Sequence, residues 1–195
     1  MAASLSAEPG KRLTPAGGMA SVDAKSGKTA SLARDLLEKA LLREGMDPDG
    51  FEIRKMESGK PYGIVNGRVV GISISHSRNM LVCALNGCGQ VGVDVEPCNR
   101  SMHSGLRRRI AHPDESAAIL KELCGIRLWT LKEAALKYTG TGLRMAMNRI
   151  KLKQHDTHVF LTVTEAEPLA IASFSFQNHW IAVALSAQTG DSGRP

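Results

Sequence analysis

The stretch SISHSRNMLVCAL, residues 73–85, decides the fold because the chain repeats its pattern in SFSFQNHWIAVAL, residues 173–185. The two stretches align without gaps, and both carry serines at alternate positions and end in Ala-Leu. Each stretch predicts a strand, a polar turn and an apolar strand. Repetition of such a unit indicates a duplicated architecture. We therefore expect an α+β fold with two pseudo-symmetric lobes, each a helix packed on a mainly antiparallel sheet of three to four strands.

The rest of the chain divides around these two hairpins. Residues 1–28 are rich in Ala, Ser, Gly, Pro and Lys without a period, which predicts a mobile N-terminal tail. Residues 29–98 form the predicted first lobe and residues 99–195 the second, with the functional site between them. The first helix is predicted over 31–44, with Ser31 as its N-cap and Gly45 as its stop. Further helices are predicted over 113–123 and 128–138, and strands over 51–53, 69–74, 80–85, 91–96, 150–152, 159–163, 170–176 and 180–185.

Composition limits where the protein works and what it binds. The chain of 195 residues has no apolar run long enough to span a membrane and no signal-peptide core, so we expect a cytoplasmic protein. Its net charge of +6 favours an anionic partner. A nucleic acid is the least favoured one, because the chain has only two Trp, two Tyr and four Phe, and they do not interleave with a basic stripe. The four cysteines lack zinc-site spacing and are expected to be reduced thiols.

The segment VGVDVE, residues 91–96, is the sharpest chemical feature. In a strand, alternate residues share a face, so Asp94 and Glu96 project together, with Cα atoms about 7 Å apart. That spacing lets both carboxylates reach one hard cation, and Gly92 is expected to leave room beside them. An exposed polar strand edge explains the same spacing equally well.

The segment WTLKEAALK, residues 129–137, predicts a helix on which Glu133 and Lys137 stack one turn apart. An ordinary surface salt bridge accounts for that pair. The functional interpretation is a third carboxylate for a metal, with a lysine one turn away for a phosphate. Two shorter motifs are ambiguous in the same way: SHS at residues 75–77 ends an apolar strand, and GKP at residues 59–61 fixes a bend.

These four motifs, in this order, resemble the 4′-phosphopantetheinyl transferase superfamily from about residue 34 to residue 185. The chain looks more like the larger, pseudo-dimeric type that acts on peptide- and polyketide-synthase carriers, the surfactin-synthase-activating type, than the short trimeric type. The resemblance implies a monomer with an internal pseudo-twofold axis. It implies transfer of 4′-phosphopantetheine from coenzyme A to a serine of an acidic apo acyl or peptidyl carrier protein, with Mg²⁺ or Mn²⁺.

The resemblance also implies a role for each matching residue. Asp94, Glu96 and Glu133 would hold the metal, and Lys137 would pair with the coenzyme A pyrophosphate. Glu133 or Glu115 would take the proton of the carrier serine. The residues expected at the adenine and 3′-phosphate end of coenzyme A are Arg34, Lys60, Pro61, Ser75 and His76. The run of arginines at 107–109 is expected to steer the acidic carrier.

The alternative from a different class is a non-catalytic module that keeps the fold and binds coenzyme A or a carrier protein. The set of Asp94, Glu96, Glu133 and Lys137 argues against it, because a protein that has lost catalysis should tolerate changes at these positions. A basic nucleic-acid-binding domain ranks last.

Overall fold

The computed structural model describes residues 3–6, 14–17, 19–21, 26–155, 158–163 and 168–186. In chain order the elements are β1 (Ala3–Ser6), β2 (Thr14–Gly17), β3 (Met19–Ser21), α1 (Ser26–Arg43), β4 (Glu52–Lys55), β5 (Pro61–Val65), β6 (Arg68–Ser77), β7 (Met80–Asn86), β8 (Val91–Pro97), α2 (Ser104–Ile110), α3 (Ala117–Glu122), α4 (Gly125–Thr139), β9 (Ile150–His155), β10 (His158–Val163), β11 (Leu169–Phe176) and β12 (His179–Ser186). Short 3₁₀ turns cover Gly142–Arg144 and Met147–Arg149. Within the predicted tail, the residues between these first strands lie outside the described ranges.

The strands form two antiparallel sheets, each of five strands. One sheet has the order β3-β7-β6-β5-β4 and the other β8-β12-β11-β10-β9, while β1 pairs with β2 separately. The prediction of an α+β fold with antiparallel sheets is therefore confirmed, with five strands in each sheet instead of three to four. No helix in the described ranges is long and apolar enough to cross a membrane.

Strand β8 changes sheets. It follows β7 in the chain, but it pairs with β12, from Val91 opposite Leu185 to Pro97 opposite His179. Asn86 and Gly87 therefore carry the chain from one sheet to the other and do not close a hairpin. The predicted first lobe, residues 29–98, thus includes a strand that hydrogen-bonds with the second sheet.

Each sheet buries one face under a helix, and the two sheets pack against each other. The α1 core includes Leu36, Leu37, Leu41, Phe51, Ile72 and Leu81. The α4 core includes Leu128, Leu131, Leu136, Ile150, Ile171 and Ala184. The core between the sheets includes Met80, Val82, Val93, Val95, Ile181 and Val183. Full burial of one such aliphatic side chain contributes roughly 1.5–3 kcal/mol, so these three clusters hold the sheets and helices in fixed relation.

Helix α1 begins earlier than the sequence predicted. It starts at Ser26, so Ser31 lies inside the helix and the N-cap assigned to it is wrong. No proline interrupts residues 26–31, and a glycine in the first turn costs little because the first amide groups have no helical partner there. The predicted stop is correct: Gly45 has φ +72°, and the amide of Met46 donates to the carbonyl of Leu41 at 2.9 Å.

The two hairpins that suggested duplication are real, but the gapless alignment misses their register by one residue. Ser77 pairs with Met80 around one two-residue turn, and Phe176 pairs with His179 around the other. The Oγ of Ser73 faces β8, where it accepts a hydrogen bond from the amide of Val93. The Oγ of Ser173 instead faces α4. A shift of one residue moves every side chain of a strand to the opposite face, so aligned identities cannot replace the pairing.

The helices of the second half differ from prediction at their ends. Helix α4 contains the predicted 128–138 segment and begins at Gly125. The helix predicted over 113–123 is reduced to α3, because Ser116 caps the first turn by accepting a hydrogen bond from the amide of Ile119 at 3.2 Å. Helix α2 was not predicted.

Candidate functional site

Gly92 sets the distance between β8 and α4. A Cβ atom at this position would overlap the carbonyl oxygen of Ala134 and the amide nitrogen of Tyr138. The expectation that Gly92 leaves free space beside the carboxylates is therefore wrong, because the backbone of α4 fills that space. The close approach places Glu133 and Lys137 of α4 beside the polar face of β8.

Serines on β6 hold the carboxylates of β8 from the other side. Ser75 Oγ donates a hydrogen bond to Asp94 Oδ1 at 2.9 Å, and Ser77 Oγ donates to Glu96 Oε2 at 3.2 Å. Because serines alternate along β6 as carboxylates alternate along β8, the two strands meet through side chains although they belong to different sheets. The alternating serines thus link the two sheets at the site.

Lys137, Asp94 and Ser75 form one hydrogen-bonded cluster. The Nζ of Lys137 lies 2.7 Å from Asp94 Oδ1 and 2.7 Å from Ser75 Oγ. Burial raises the pKa of Asp94, while the ammonium of Lys137 and the hydroxyl of Ser75 oppose that shift. Among the described residues no group bonds Asp94 Oδ2, which is buried. This oxygen can therefore accept a cation or a donor that a ligand brings.

Glu133 lies in the electrostatic field of this cluster. Burial raises its pKa most, and the negative charge of Asp94 raises it further, while the ammonium of Lys137 lowers it. The side chain is half-buried, on the same face of α4 as Lys137. Glu133 therefore has the environment of a carboxylate that a nearby cation or proton would stabilise.

Glu96 is held at the far end of the cluster by Arg100. The two side chains form an ion pair, and the guanidinium of Arg100 also lies over the ring of Trp129, 5.9 Å from its centroid. Arg100 was not among the predicted site residues. An arginine four residues after a strand carboxylate carries no pattern that distinguishes it from a surface charge.

The three predicted metal ligands do not form a ready-made metal site. In the part of the chain that the structure describes, no three His, Cys, Asp or Glu side chains are grouped closely enough to hold an ion. Lys137 occupies one oxygen of Asp94, and Arg100 pairs with Glu96. The donor set nevertheless suits a hard cation such as Mg²⁺, since it consists of carboxylates and includes the open oxygen of Asp94.

A cleft of about 600 Å³ opens beside this cluster. Its walls come from the loop before β5, from β6, and from the C-terminal end of α4 with the turn that follows. The lining residues are Ser58, Gly59, Lys60, Pro61, Ser73, Ile74, Leu136, Lys137, Gly140, Thr141, Gly142 and Arg144. Three residues predicted to bind coenzyme A, namely Lys60, Pro61 and Lys137, therefore line one cavity.

Lys60 crosses from the first sheet to α4. It is buried, its ammonium donates to the carbonyl oxygen of Tyr138, and it lies 5.3 Å from the centroid of the Tyr138 ring. Burial lowers the pKa of Lys60 to about 8. The charge of Lys60 is thus sensitive to an anion placed in the cleft.

Arg34 and His76 are not among the described residues that line the cleft. The guanidinium of Arg34 donates to the carbonyl of Phe51 at 2.6 Å and pairs with Glu38 at 2.8 Å. His76 is exposed, and because it neighbours Ser75 on β6 its side chain projects from the opposite face of the strand. Ser75 and His76 therefore do not converge as a pair.

Glu115 is committed to a different contact. Its carboxylate pairs with the ammonium of Lys132 at 2.7 Å, and both side chains are fully buried. It also accepts hydrogen bonds from the amides of His112 at 2.9 Å and Leu152 at 3.1 Å. Since Lys132 in turn donates to two backbone carbonyls, this pair is satisfied and lies away from solvent.

The arginine run at 107–109 divides between two roles. Arg107 donates to the carbonyls of Leu120 and Leu123, so it binds the C-terminal end of α3. Arg108 and Arg109 are exposed. Only these last two present basic surface to a partner.

Comparison with known proteins gives a family. Residues 90–185 match the model of the 4′-phosphopantetheinyl transferase superfamily. The 4′-phosphopantetheinyl transferase of Bacillus subtilis is 27% identical over 142 residues, which cover 67% of this chain and 60% of the relative. The 4′-phosphopantetheinyl transferase HetI of a Nostoc species is 30% identical over 139 residues, or 66% of this chain and 54% of the relative. The 4′-phosphopantetheinyl transferase gsp of Aneurinibacillus migulanus is 27% identical over 158 residues, or 77% and 65%.

The chain belongs to the 4′-phosphopantetheinyl transferase superfamily. The matched range contains β8, α4 and all but the last residue of β12, and therefore Asp94, Glu133 and Lys137. The chain spans between about half and two thirds of the length of these relatives.

Proposed function

We propose that this protein transfers the 4′-phosphopantetheine group of coenzyme A to a serine of an apo acyl or peptidyl carrier protein. The observation that carries the proposal is a cleft lined by Lys60 and Lys137 that opens beside the carboxylates of Asp94 and Glu133. Three relatives that carry the name 4′-phosphopantetheinyl transferase support it.

The cleft suits a polyanionic co-substrate. Lys60 and Lys137 can make charge-assisted hydrogen bonds to phosphate oxygens. We assign Lys137 to the pyrophosphate because its ammonium already sits between the carboxylate cluster and the cleft. Lys60 and Pro61 are assigned to the adenosine end. Ser75, His76 and Arg34 remain proposed contacts of that end, although none of the three is among the described residues that line the cleft.

Asp94, Glu96 and Glu133 would hold Mg²⁺ or Mn²⁺. Such an ion, when bound, supplies charge neutralisation for the pyrophosphate. The chain's own residues prepare the position: Ser75 and Ser77 orient the two strand carboxylates, and Gly92 allows Glu133 to approach them.

The transfer requires that the carrier serine lose its proton. The serine oxygen forms a bond to the β-phosphorus of coenzyme A, the bond from that phosphorus to the bridging oxygen breaks, and adenosine 3′,5′-bisphosphate leaves. Glu133 is the better candidate to accept the serine proton, directly or through water, because it lies in the electrostatic field of the cluster of Lys137, Asp94 and Ser75 beside the cleft. Glu115 is the weaker one, since its oxygens are bound by Lys132, His112 and Leu152.

The proposal extends to the pseudo-dimeric type, with the two lobes related by an internal pseudo-twofold axis in a monomer. One helix packs on each sheet, and once the alignment is shifted by one residue the hairpins present matching faces. Val82 and Ile181 then both face the core between the sheets, while Cys83 and Ala182 both face a helix. An acidic carrier would approach through exposed basic surface such as Arg108 and Arg109.

The decisive experiment incubates the protein with coenzyme A, Mg²⁺ and an apo carrier protein, and weighs the carrier by mass spectrometry. The expected result is a mass increase of one phosphopantetheine unit that disappears with EDTA and in Asp94→Asn. Asp49→Asn, at an exposed turn, is the matched control and should retain transfer. Unmodified carriers across several apo substrates would refute the transferase.

A non-catalytic module that binds coenzyme A or a carrier is the second candidate. It is favoured by the ion pairs that Lys137 and Arg100 make with the would-be metal ligands. The same experiment separates the two, because this candidate predicts coenzyme A binding by calorimetry without any mass increase of the carrier.

A further inference from the structure

Arg100 lies where a strand carboxylate and an aromatic ring of α4 meet. Its Nη1 donates a hydrogen bond to Glu96 Oε1, and its guanidinium carbon lies 5.9 Å from the centroid of the Trp129 ring. Trp129 stands four residues before Glu133 in α4, so both side chains project from the same face of the helix. Arg100 therefore bridges the end of β8 and the helix face that carries Glu133.

Both carboxylate oxygens of Glu96 already accept a hydrogen bond. Arg100 occupies Oε1, and the hydroxyl of Ser77 donates to Oε2 at 3.2 Å. The Glu96 side chain is only 12% exposed, whereas that of Arg100 is 48% exposed. A divalent cation that binds Glu96 must therefore share Oε1 with the guanidinium or take its place.

The positive charge of Arg100 also reaches Glu133. Burial is the largest influence on the pKa of Glu133 and raises it, the negative charges of Asp94 and Glu96 raise it further, and the positive charges of Lys137 and Arg100 lower it. Arg100 thus acts on two of the three carboxylates proposed to hold the metal. A positive charge in this position opposes the entry of a second cation, because like charges repel at short distance.

The ring of Trp129 gives Arg100 a contact that does not depend on Glu96. A guanidinium over an indole face is attracted by the electrons of the ring, and the half-exposed side chain of Arg100 can turn without leaving solvent. Arg100 can therefore release Glu96 and stay over Trp129.

We propose that Arg100 competes with the divalent cation for Glu96 and so sets the metal concentration that the protein requires. The inference rests on the proposed function, in which Asp94, Glu96 and Glu133 hold the metal. Arg100 is a positioning residue, since it acts through Glu96. A purely structural role has the opposite consequence: if Arg100 only held Glu96 in place for the metal, its removal would weaken metal binding.

The test titrates Mn²⁺ into the full chain and follows free Mn²⁺ by electron paramagnetic resonance, for the wild type, Arg100→Gln, Arg100→Lys and Arg54→Gln. Arg54 is the matched control, because it forms an exposed ion pair with Glu52 on β4 and its replacement removes the same charge. We expect Arg100→Gln to bind Mn²⁺ about 3- to 10-fold more tightly than the wild type. Arg100→Lys keeps the charge and should stay near the wild type, and Arg54→Gln should not change the affinity.

Weaker or unchanged Mn²⁺ binding in Arg100→Gln would overturn the inference, and so would equal tightening in Arg54→Gln. Circular dichroism checks that each variant is folded, and Arg100→Met is a second neutral variant if Arg100→Gln is not. The carrier mass assay on the wild type tests the proposed function separately. Mn²⁺ binding without transfer refutes the transferase and leaves the affinity ratio to decide on Arg100. If neither the wild type nor Arg100→Gln binds Mn²⁺, the inference is wrong whatever the carrier assay shows.

Discussion

Helix α4 carries two acid–lysine pairs that differ in almost everything except their length. Lys132 pairs with Glu115 at 2.7 Å, and Lys137 pairs with Asp94 at 2.7 Å. In the first pair both side chains are fully buried, and the lysine and the carboxylate have further backbone partners. In the second pair the Lys137 side chain is 30% exposed to the cleft, and no group among the described residues bonds the buried Oδ2 of Asp94.

The remaining hydrogen-bonding capacity of each pair separates a structural ion pair from one that can bind a ligand. The carboxylate of Glu115 and the ammonium of Lys132 already have hydrogen-bond partners, so neither group can bind a ligand. The pair also holds together the two chain segments that carry these residues. The Asp94–Lys137 pair is incomplete and borders a cavity, so a ligand can take over either partner. Equal distances therefore say little about role, and the state of the remaining oxygens and N–H groups decides it.

Replacement of each lysine by methionine is expected to have the largest effect. Lys132→Met leaves Glu115 buried without its cation, and we expect a loss of about 3–5 kcal/mol in the free energy of unfolding. Lys137→Met should cost much less stability, because Asp94 lies next to the open cleft. Urea denaturation followed by circular dichroism measures both, and equal losses would contradict the distinction.

The second largest effect concerns the two glutamates. Glu133→Gln should lower kcat of transfer by about 10²–10⁴-fold, because it removes the proposed proton acceptor beside the cluster. Glu115→Gln should act on stability and leave kcat of the folded enzyme within a few-fold. Carrier modification kinetics at saturating coenzyme A provide the measurement. A loss of kcat in Glu115→Gln with unchanged unfolding would return that residue to the active site.

The close approach of β8 and α4, which brings Asp94 and Lys137 together, can be tested at Gly92. Gly92→Ala inserts a Cβ into the backbone of α4, so we expect about 1–3 kcal/mol of destabilisation together with weaker transfer. Gly87→Ala is the matched control, since a Cβ there meets only the Cε of Met46 at 3.5 Å. Thermal unfolding of the two variants gives the comparison. A Gly92→Ala protein as stable and active as the control would show that α4 can move away from β8 at no cost.

The smallest expected effect is a pH dependence that belongs to Lys60. Its pKa is lowered to about 8 by burial, so it loses its charge as the pH rises through that value. Coenzyme A affinity should therefore fall by roughly tenfold between pH 7 and pH 9. Lys60→Arg, which stays charged, should bind without this decline. Calorimetric titration across the range tests it, and a parallel decline in Lys60→Arg would assign the effect to another group.

The same shift has a defined sign for folding. Between about 8 and the ordinary value of 10.5, the unfolded chain holds a proton on Lys60 more often than the folded protein does. The contribution of Lys60 to stability therefore increases as the pH rises through that window. Ligand binding and folding respond to pH in opposite directions, which distinguishes a loss of affinity from unfolding.

Much of the site could be predicted because its parts are local. Alternation along β8 put Asp94 and Glu96 on one face, and the helical period put Glu133 and Lys137 on one face of α4. The order of the motifs indicated the family. By contrast, the burial of Glu115 against Lys132 depends on how α4 packs on β9, and Arg144 reaches Ser58 across 86 residues of chain. No period in the sequence encodes such contacts.

Local sequence patterns account for the elements that carry the site, β6, β8 and α4, for the antiparallel α+β class and for the faces on which the carboxylates stand, since these follow from backbone geometry repeated every two or 3.6 residues. Three features became evident only in the folded protein. Strand β8 joins the second sheet, equivalent residues of the two hairpins differ by one position from the gapless sequence alignment, and the Asp94–Lys137 pair stays open while the Glu115–Lys132 pair does not. These outcomes depend on side chains that are distant in the chain and must share one buried volume, where the packing of all of them together selects a single arrangement.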